Sequence, residues 1–261
     1  MKLNQYVTYV ASLGKPCFTL TEALKALGVA KTAVLAALNR LEKKGEICSP
    51  ARGFYLIVRP EYRSLGCLPP EHFISNLMQF LQLPYYICLL SAAQFYGAVH
   101  QQPQVFQVML EKNRAPIKCG RVQIHFTAKA HVASMPINIM NTPTGLLRVA
   151  TPEVTALDLV MYSSQSGGLN HVATILTELV EKLDCKKLSE LAISGEVVRA
   201  IQRVGYLLEQ VGAQVFANTL WTMTHPYFKR MVPLSAKAPI KDALKNQRWK
   251  ININTNVESD I

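Results

Sequence analysis

A chain of 261 residues with 49% apolar content is long enough for one large domain or two ordinary ones, each with a real core. Its six cysteines (Cys17, Cys48, Cys67, Cys88, Cys119 and Cys185) are scattered without a C-x-x-C pair, which excludes a small disulfide scaffold. The net charge is +11 and uneven: residues 1–60 carry nine Lys/Arg against three Glu, whereas residues 146–230 carry eight against eight. A basic N-terminal part suggests an anionic partner, nucleic acid foremost.

Near the N-terminus, Asn4 and Gln5 break any signal-peptide core. A cytoplasmic protein with reduced, mostly buried thiols is therefore expected. Residues 3–13 read as a first helix. Thr19-Leu20-Thr21-Glu22 fits a capping box, in which the threonine hydroxyl accepts from the N3 amide and the glutamate reaches back. Leu20, Ala23, Leu24 and Leu27 give the stripe of a second helix, and Gly28 suits its C-terminal stop. A third helix runs from about Lys31 to Lys44. At ~100° per residue, Val34, Leu35, Leu38 and Leu41 fall on one side of it. The opposite side carries Thr32, Ala33, Ala36, Arg40 and Lys43, a small and basic face. Ala30 stands where a capping side chain is preferred, so a frayed start is expected for this helix. After Gly45, "EICSP" and "GFYLIV" read as strands, with Ala51-Arg52-Gly53 at the tip between them.

Helix, helix, tight turn, basic helix and hairpin make the order of a winged helix-turn-helix. In that geometry the third helix enters the major groove, and an arginine at the wing tip reaches phosphate or a minor groove. Small side chains let such a helix approach base edges, while arginine and lysine reach bases or phosphates. The residues expected to bind DNA are thus Lys31, Thr32, Ala33, Ala36, Arg40, Lys43, Lys44 and Arg52. The competing use of the same module is protein contact.

"CLPPEHF", residues 67–73, reads as a connection and then a helix, which puts a domain boundary in the low sixties. Residues 1–62 are expected to form the winged domain and residues 63–261 a larger mixed α+β domain. Within the latter, "LPYYICLLSAAQFYGAVH" reads as a buried apolar helix, since its run from Leu83 to Val99 falls short of a bilayer span. "VFQVMLEKN" and "RVQIHFTAK" read as strands with a turn around Arg114-Ala115-Pro116, and "MPINIMNTPTGLLRVA" as another pair. "TPEVTALDLVMYS" starts a helix strongly, with Thr151 as cap, Pro152 next and Glu153 in the first turn. Three or four further helices run to about residue 224, and "RWKININTNVE" alternates as a late strand. The fold class is α+β.

Catalytic patterns are missing: there is no G-x-S-x-G, H-E-x-x-H, G-x-G-x-x-G or Walker loop. The histidines (His72, His100, His125, His131, His171 and His225) lack ligand spacing. Glu111-Lys112 hints at a nuclease acid-x-Lys motif, but the spacing is one residue short. Asp158, on an apolar helix face, reads as a hydrogen-bonded structural carboxylate. No enzyme, cofactor or metal site is expected. Two alternatives to a plain DNA-binding regulator stay open: a ligand-responsive winged-helix transcription factor whose second domain binds a small molecule, and a nuclease with a DNA-targeting arm.

Four pieces taken together, "ARGFY", "LLSAAQFYGAVH", "RVATPEVTALDLVMY" and "RWKININTNVE", resemble the AbiEi-type antitoxins of type IV abortive-infection toxin–antitoxin systems. Their order along nearly the whole chain carries the resemblance. It implies an N-terminal domain that represses its own operon by binding double-stranded DNA at inverted repeats. It also implies a C-terminal domain that counteracts a nucleotidyltransferase toxin without requiring a stable complex. No membrane partner and no catalytic residue are carried over. A monomer in solution, with two copies cooperating on DNA, is expected.

Overall fold

A computed structural model describes residues 1–99, 101, 103–192 and 195–258. The chain divides into two compact units, one of Met1–Ile87 with Gln104–Val149 and one of Cys88–Pro103 with Ala150–Ile261.

The first unit opens with a winged module: α1 (Leu3–Ser12), β1 (Cys17–Thr19), α2 (Leu20–Leu27), α3 (Lys31–Lys43), β2 (Ile47–Ala51) and β3 (Phe54–Ile57). The sheet order is β1-β3-β2, antiparallel throughout. The three-residue β1 gives no pattern long enough to detect in sequence, yet it carries Phe18 into the core. Phe18 meets Tyr6 edge-on and stacks on Tyr55, with ring centroids 5.5 Å apart in both pairs. The capping box forms as expected: the Glu22 amide donates to Thr19 Oγ1 (3.2 Å) and the Thr19 amide to Glu22 Oε2 (2.6 Å). Gly28 closes α2 in the left-handed region, where a side chain would be strained.

A second sheet of six strands follows, built from β4 (Tyr85–Ile87), β5 (Phe106–Leu110), β6 (Ile117–Cys119), β7 (Val122–Ala128), β8 (Ile137–Thr142) and β9 (Gly145–Ala150), with α4 (Ile74–Leu81) preceding it. Its order is β6-β7-β5-β4-β9-β8. Here two expectations fail. The segment from Leu83 is not one helix: Tyr85, Tyr86 and Ile87 form a strand inside the sheet, buried on both faces, and α5 (Leu89–Phe95) spans only seven residues. A short apolar run in a buried strand has no alternation to distinguish it from a buried helix. Nor do β5 and β7 form a hairpin. The unanticipated β6 pairs antiparallel with β7 through the Gly120 turn, which leaves β5 and β7 parallel, with Phe106 opposite Ile124.

All six cysteines are free thiols; Cys48, Cys67, Cys88 and Cys119 are buried, and Cys17 and Cys185 half-buried. Three that are far apart in sequence meet: hydrogen bonds from Cys48 and Cys67 hold the Cys119 thiol below its ordinary value, and the same bonds push Cys48 and Cys67 up.

The second unit is helical, with a small sheet: α5, α6 (Pro152–Met161), α7 (Leu169–Leu179), α8 (Cys185–Glu190), α9 (Gly195–Gln210), α10 (Gln214–Thr224), then β10 (Val232–Pro233), β11 (Leu244–Asn246) and β12 (Ile251–Ile253). Thr151 caps α6 as its sequence predicts, accepting from the Val154 amide at 3.3 Å. Residues 153–160 of α6 are all buried. The two carboxylates among them are accommodated: Glu153 Oε1 accepts the Asp184 amide (3.1 Å), and Asp158 is fully buried and partnered. The late "RWKININ" strand docks on α9. The Gln202 side-chain amide donates to the Trp249 carbonyl (2.9 Å), and the Trp249 ring, fully buried, packs over Gly205. Among the described residues, no helix is long and apolar enough to cross a membrane.

Gly205 provides a test in which two effects oppose each other. Helix propensity alone makes Gly→Ala stabilising by about 1 kcal/mol. A Cβ at 205, however, would lie 2.0 Å from the Trp249 ring. Overpacking of that kind costs about 1–3 kcal/mol. Gly205→Ala is expected to lower the thermal midpoint, and a midpoint equal to or above the parent would refute this packing.

Candidate nucleic-acid interface

The direction in which α3 faces is set by its apolar stripe. Val34, Leu38 and Leu41 are 1%, 1% and 3% exposed, in a core shared with Leu3, Tyr6, Val7 and Val10 of α1, Ala23 of α2, and Phe18, Ile47, Tyr55 and Ile57 of the sheet. Leu20, Leu24, Leu27 and Ala37 pack around its margin. One member of the expected stripe departs: Leu35 is 39% exposed. The buried stripe is centred near Val34, with Leu38 at one edge, and residue 35 lies about 60° beyond Leu38 on the side away from Leu41, where it faces solvent.

All eight residues singled out for DNA contact are exposed: Lys31, Thr32, Ala33, Ala36, Arg40, Lys43 and Lys44 along α3 and its end, and Arg52 at the wing tip. Thr32, Ala36, Arg40 and Lys43 share the arc opposite the core stripe. Asn39, not among the expected contacts, lies on that arc too and is exposed. The signal was available in the helical spacing, and a carboxamide is able to bond the adenine edge in two places. The five cations among the candidates are offset on α3 by the exposed Glu42 alone.

Local structure holds both parts of this surface in place. α3 starts at Lys31 with no side-chain cap at Ala30, as expected from the sequence. The first-turn amides of Lys31 and Thr32, which have no intrahelical acceptor, are therefore left open to an anion. At the wing, Ser49 Oγ donates to the carbonyls of Ala51 (3.0 Å) and Phe54 (3.1 Å), bracing the irregular register of β2. Gly53 adopts φ +83°, and its carbonyl accepts the Leu20 amide at 2.8 Å, which ties the tip to the start of α2. Arg52 is thereby presented on a fixed turn.

The other candidates do not assemble. Glu111 lies one position past the end of β5, so it is not strand-borne as expected; it and Lys112 are exposed. His125, His131, His171 and His225 are exposed and His72 is half-buried, while His100 lies outside the described residues. Among the described residues, no histidine or carboxylate belongs to a cluster of three or more metal-ligating side chains.

Residues 5–58 match a family described as "Transcriptional regulator, AbiEi antitoxin". Residues 85–210 match one described as "AbiEi antitoxin C-terminal domain". No curated protein matches the chain. The crystal structure of the RV2827C protein from Mycobacterium tuberculosis is similar, with a TM-score of 0.66 over 95% of this chain and 89% of that one. At 18% identity, that likeness speaks for the fold alone. The winged module and the region after it thus match two descriptions of the same family, in the order the chain presents them, and the chain belongs to the AbiEi antitoxin family of transcriptional regulators.

Proposed function

We propose that this protein is a cytoplasmic DNA-binding autorepressor and the antitoxin of a type IV, abortive-infection toxin–antitoxin system. One observation carries the reading: α3 buries its apolar stripe and turns Arg40 and Lys43 to solvent, beside Lys31 at its exposed start, Lys44 and the braced Arg52. A helix so oriented, with Ala33 and Ala36 between its cations, can lie close in a major groove. Lys31, Arg40, Lys43, Lys44 and Arg52 supply phosphate or base contacts, and Thr32, Ala33 and Ala36 permit the approach. The DNA is the inverted-repeat operator of the protein's own promoter, engaged by two copies of a protein that is monomeric in solution. Residues 1–62 perform the repression and residues 63–261 the antagonism of a nucleotidyltransferase toxin, without a lasting complex. The functional division falls earlier than the break between the two compact units at Ile87.

If those five cations contact phosphates, about five counterions are released per copy. The logarithm of the binding constant then falls against the logarithm of salt concentration with a slope near −4 to −5 per copy. Titration of operator DNA across a range of salt measures it, and tight binding that ignores salt would contradict the interface.

The two activities are also expected to separate. Arg40, Lys43 and Arg52 are exposed, so truncating each changes stability by about 0.5 kcal/mol or less. Leu38→Ala is the contrast: it opens the winged core and costs about 2–5 kcal/mol. The triple alanine variant at 40, 43 and 52 should stay folded and derepress a promoter reporter. Expressed from an unrelated promoter, it should still protect cells from the toxin. Protection lost together with repression, in a variant that remains folded, would overturn the division of labour.

A further inference from the structure

Three thiols from three separate segments converge in the first unit. Cys48 lies on β2, Cys67 in the connection that follows the winged module, and Cys119 at the end of β6. Their Sγ atoms all lie within 4.8 Å of one another, with exposures of 8%, 0% and 6%. The backbone is built for this meeting. Gly66 precedes Cys67 and Gly120 follows Cys119, and the two glycines approach so closely that a Cβ on Gly120 would lie 2.3 Å from the Leu65 carbonyl oxygen. The Arg121 amide donates to that carbonyl at 2.8 Å and locks the approach. Two of the three thiols thus each adjoin one partner of a backbone contact that leaves no room for a side chain at Gly120.

Ordinary apolar packing needs neither three sulfurs at one point nor a backbone approach restricted to glycine. Zinc–thiolate bonds of ~2.3 Å in tetrahedral geometry place sulfurs about 3.8 Å apart, so a small contraction of this triangle closes around an ion. Three sulfurs with no carboxylate or imidazole among them select a soft ion and reject calcium or magnesium. Three thiolates around a divalent ion leave one net negative charge to bury, against two around a monovalent ion, so zinc fits this apolar site better than copper(I).

We propose that Cys48, Cys67 and Cys119 form a thiolate site for one thiophilic, closed-shell metal ion, with zinc preferred to copper(I). Bound there, the ion ties the wing strand β2 to β6 across a large separation in sequence. The site does not depend on the proposed DNA-binding role.

The test uses the full-length, reduced protein. Zinc in one arm and copper(I) in the other are added, excess is removed, and bound metal is measured by elemental analysis. One equivalent per chain is expected, with a rise in the thermal midpoint that a chelator reverses. Cobalt(II) in place of zinc should give a sulfur-to-metal charge-transfer band in the near ultraviolet. Removing a ligand should cost more than removing a residue that merely orients one, so Cys119→Ser should weaken binding by at least about 100-fold. A Cys17→Ser/Cys185→Ser variant should keep the full equivalent. Because Cys119→Ser alters a buried position, the cobalt band and chelator-reversible midpoint of the unaltered protein stand as an independent readout. The proposal is overturned if the reduced wild-type protein takes up neither ion, or if a folded Cys119→Ser protein binds as tightly as the parent.

Discussion

Burial of Val34, Leu38 and Leu41 is the constraint on which the candidate interface of this protein depends. Each side chain withdrawn from water contributes about 1.5–3 kcal/mol. Together they fix the rotation of α3 about its own axis, and no other rotation buries the same three residues against α1, α2 and the sheet. What remains outside follows from the 3.6-residue period alone: Thr32, Ala36, Asn39, Arg40 and Lys43 must face solvent. No separate interaction is needed to aim the cations. The Thr19–Glu22 box and the Gly53–Leu20 backbone bond then fix the start of α2 and the wing tip relative to that core. Helix and wing are therefore presented as one surface, which limits the entropy lost when a partner binds it.

A second constraint acts through backbone contact instead of side-chain burial. At Gly66 and Gly120 chain meets chain: a Cβ at 120 would have no room, one at 66 would lie a tight 3.2 Å from Gly120, and both glycines adopt positive φ. That contact sets the segment after the winged module against the β6–β7 turn, so β2 and β6 become neighbours although residues 52–116 separate them in sequence. The sulfur triangle is a consequence of the same geometry. Cys67 and Cys119 each adjoin one of the two glycines, and Cys48 approaches from β2.

How far these features could be read in advance depends on the range over which each is encoded. The caps at Thr19 and Thr151, the helix stop at Gly28 and the wing turn at Arg52-Gly53 are written in three or four adjacent residues, and the fold reproduces them. Strands β1 and β6 have three residues each, too few to show an alternation; β1 depends on a distant partner, Phe54–Leu56, whereas β6 turns straight back onto Val122–Ile124. Tyr85-Tyr86-Ile87 fails for a related reason: burial on both faces removes the alternation that marks a strand, and the helical α5 just beyond extends the apolar run. Leu35 is an error of a few tens of degrees, at the edge of a correctly identified stripe. The cysteine cluster was illegible because no two of its members are close in sequence, and ligand spacing is a local signal.

The charge distribution places a limit on where an anionic polymer can be held. Residues 1–60 carry an excess of six positive charges, nine against three, while residues 146–230 are balanced at eight and eight. A balanced stretch offers little long-range attraction to phosphate, and what local fields it has are screened within about 8–10 Å at physiological salt. Nearby opposite charges in the second unit also pair with each other, as Arg248 does with Glu209 at 2.7 Å. The exposed cations of α3 face the opposite situation, with Glu42 the one acidic side chain on their helix. Electrostatics therefore makes the winged module a more favourable place for a polyanion than the helical second unit. A chain with this distribution can have one activity tuned by surface substitutions on α3 while the packing of α6 and α9 is untouched, which is the physical condition for two functions to be altered independently.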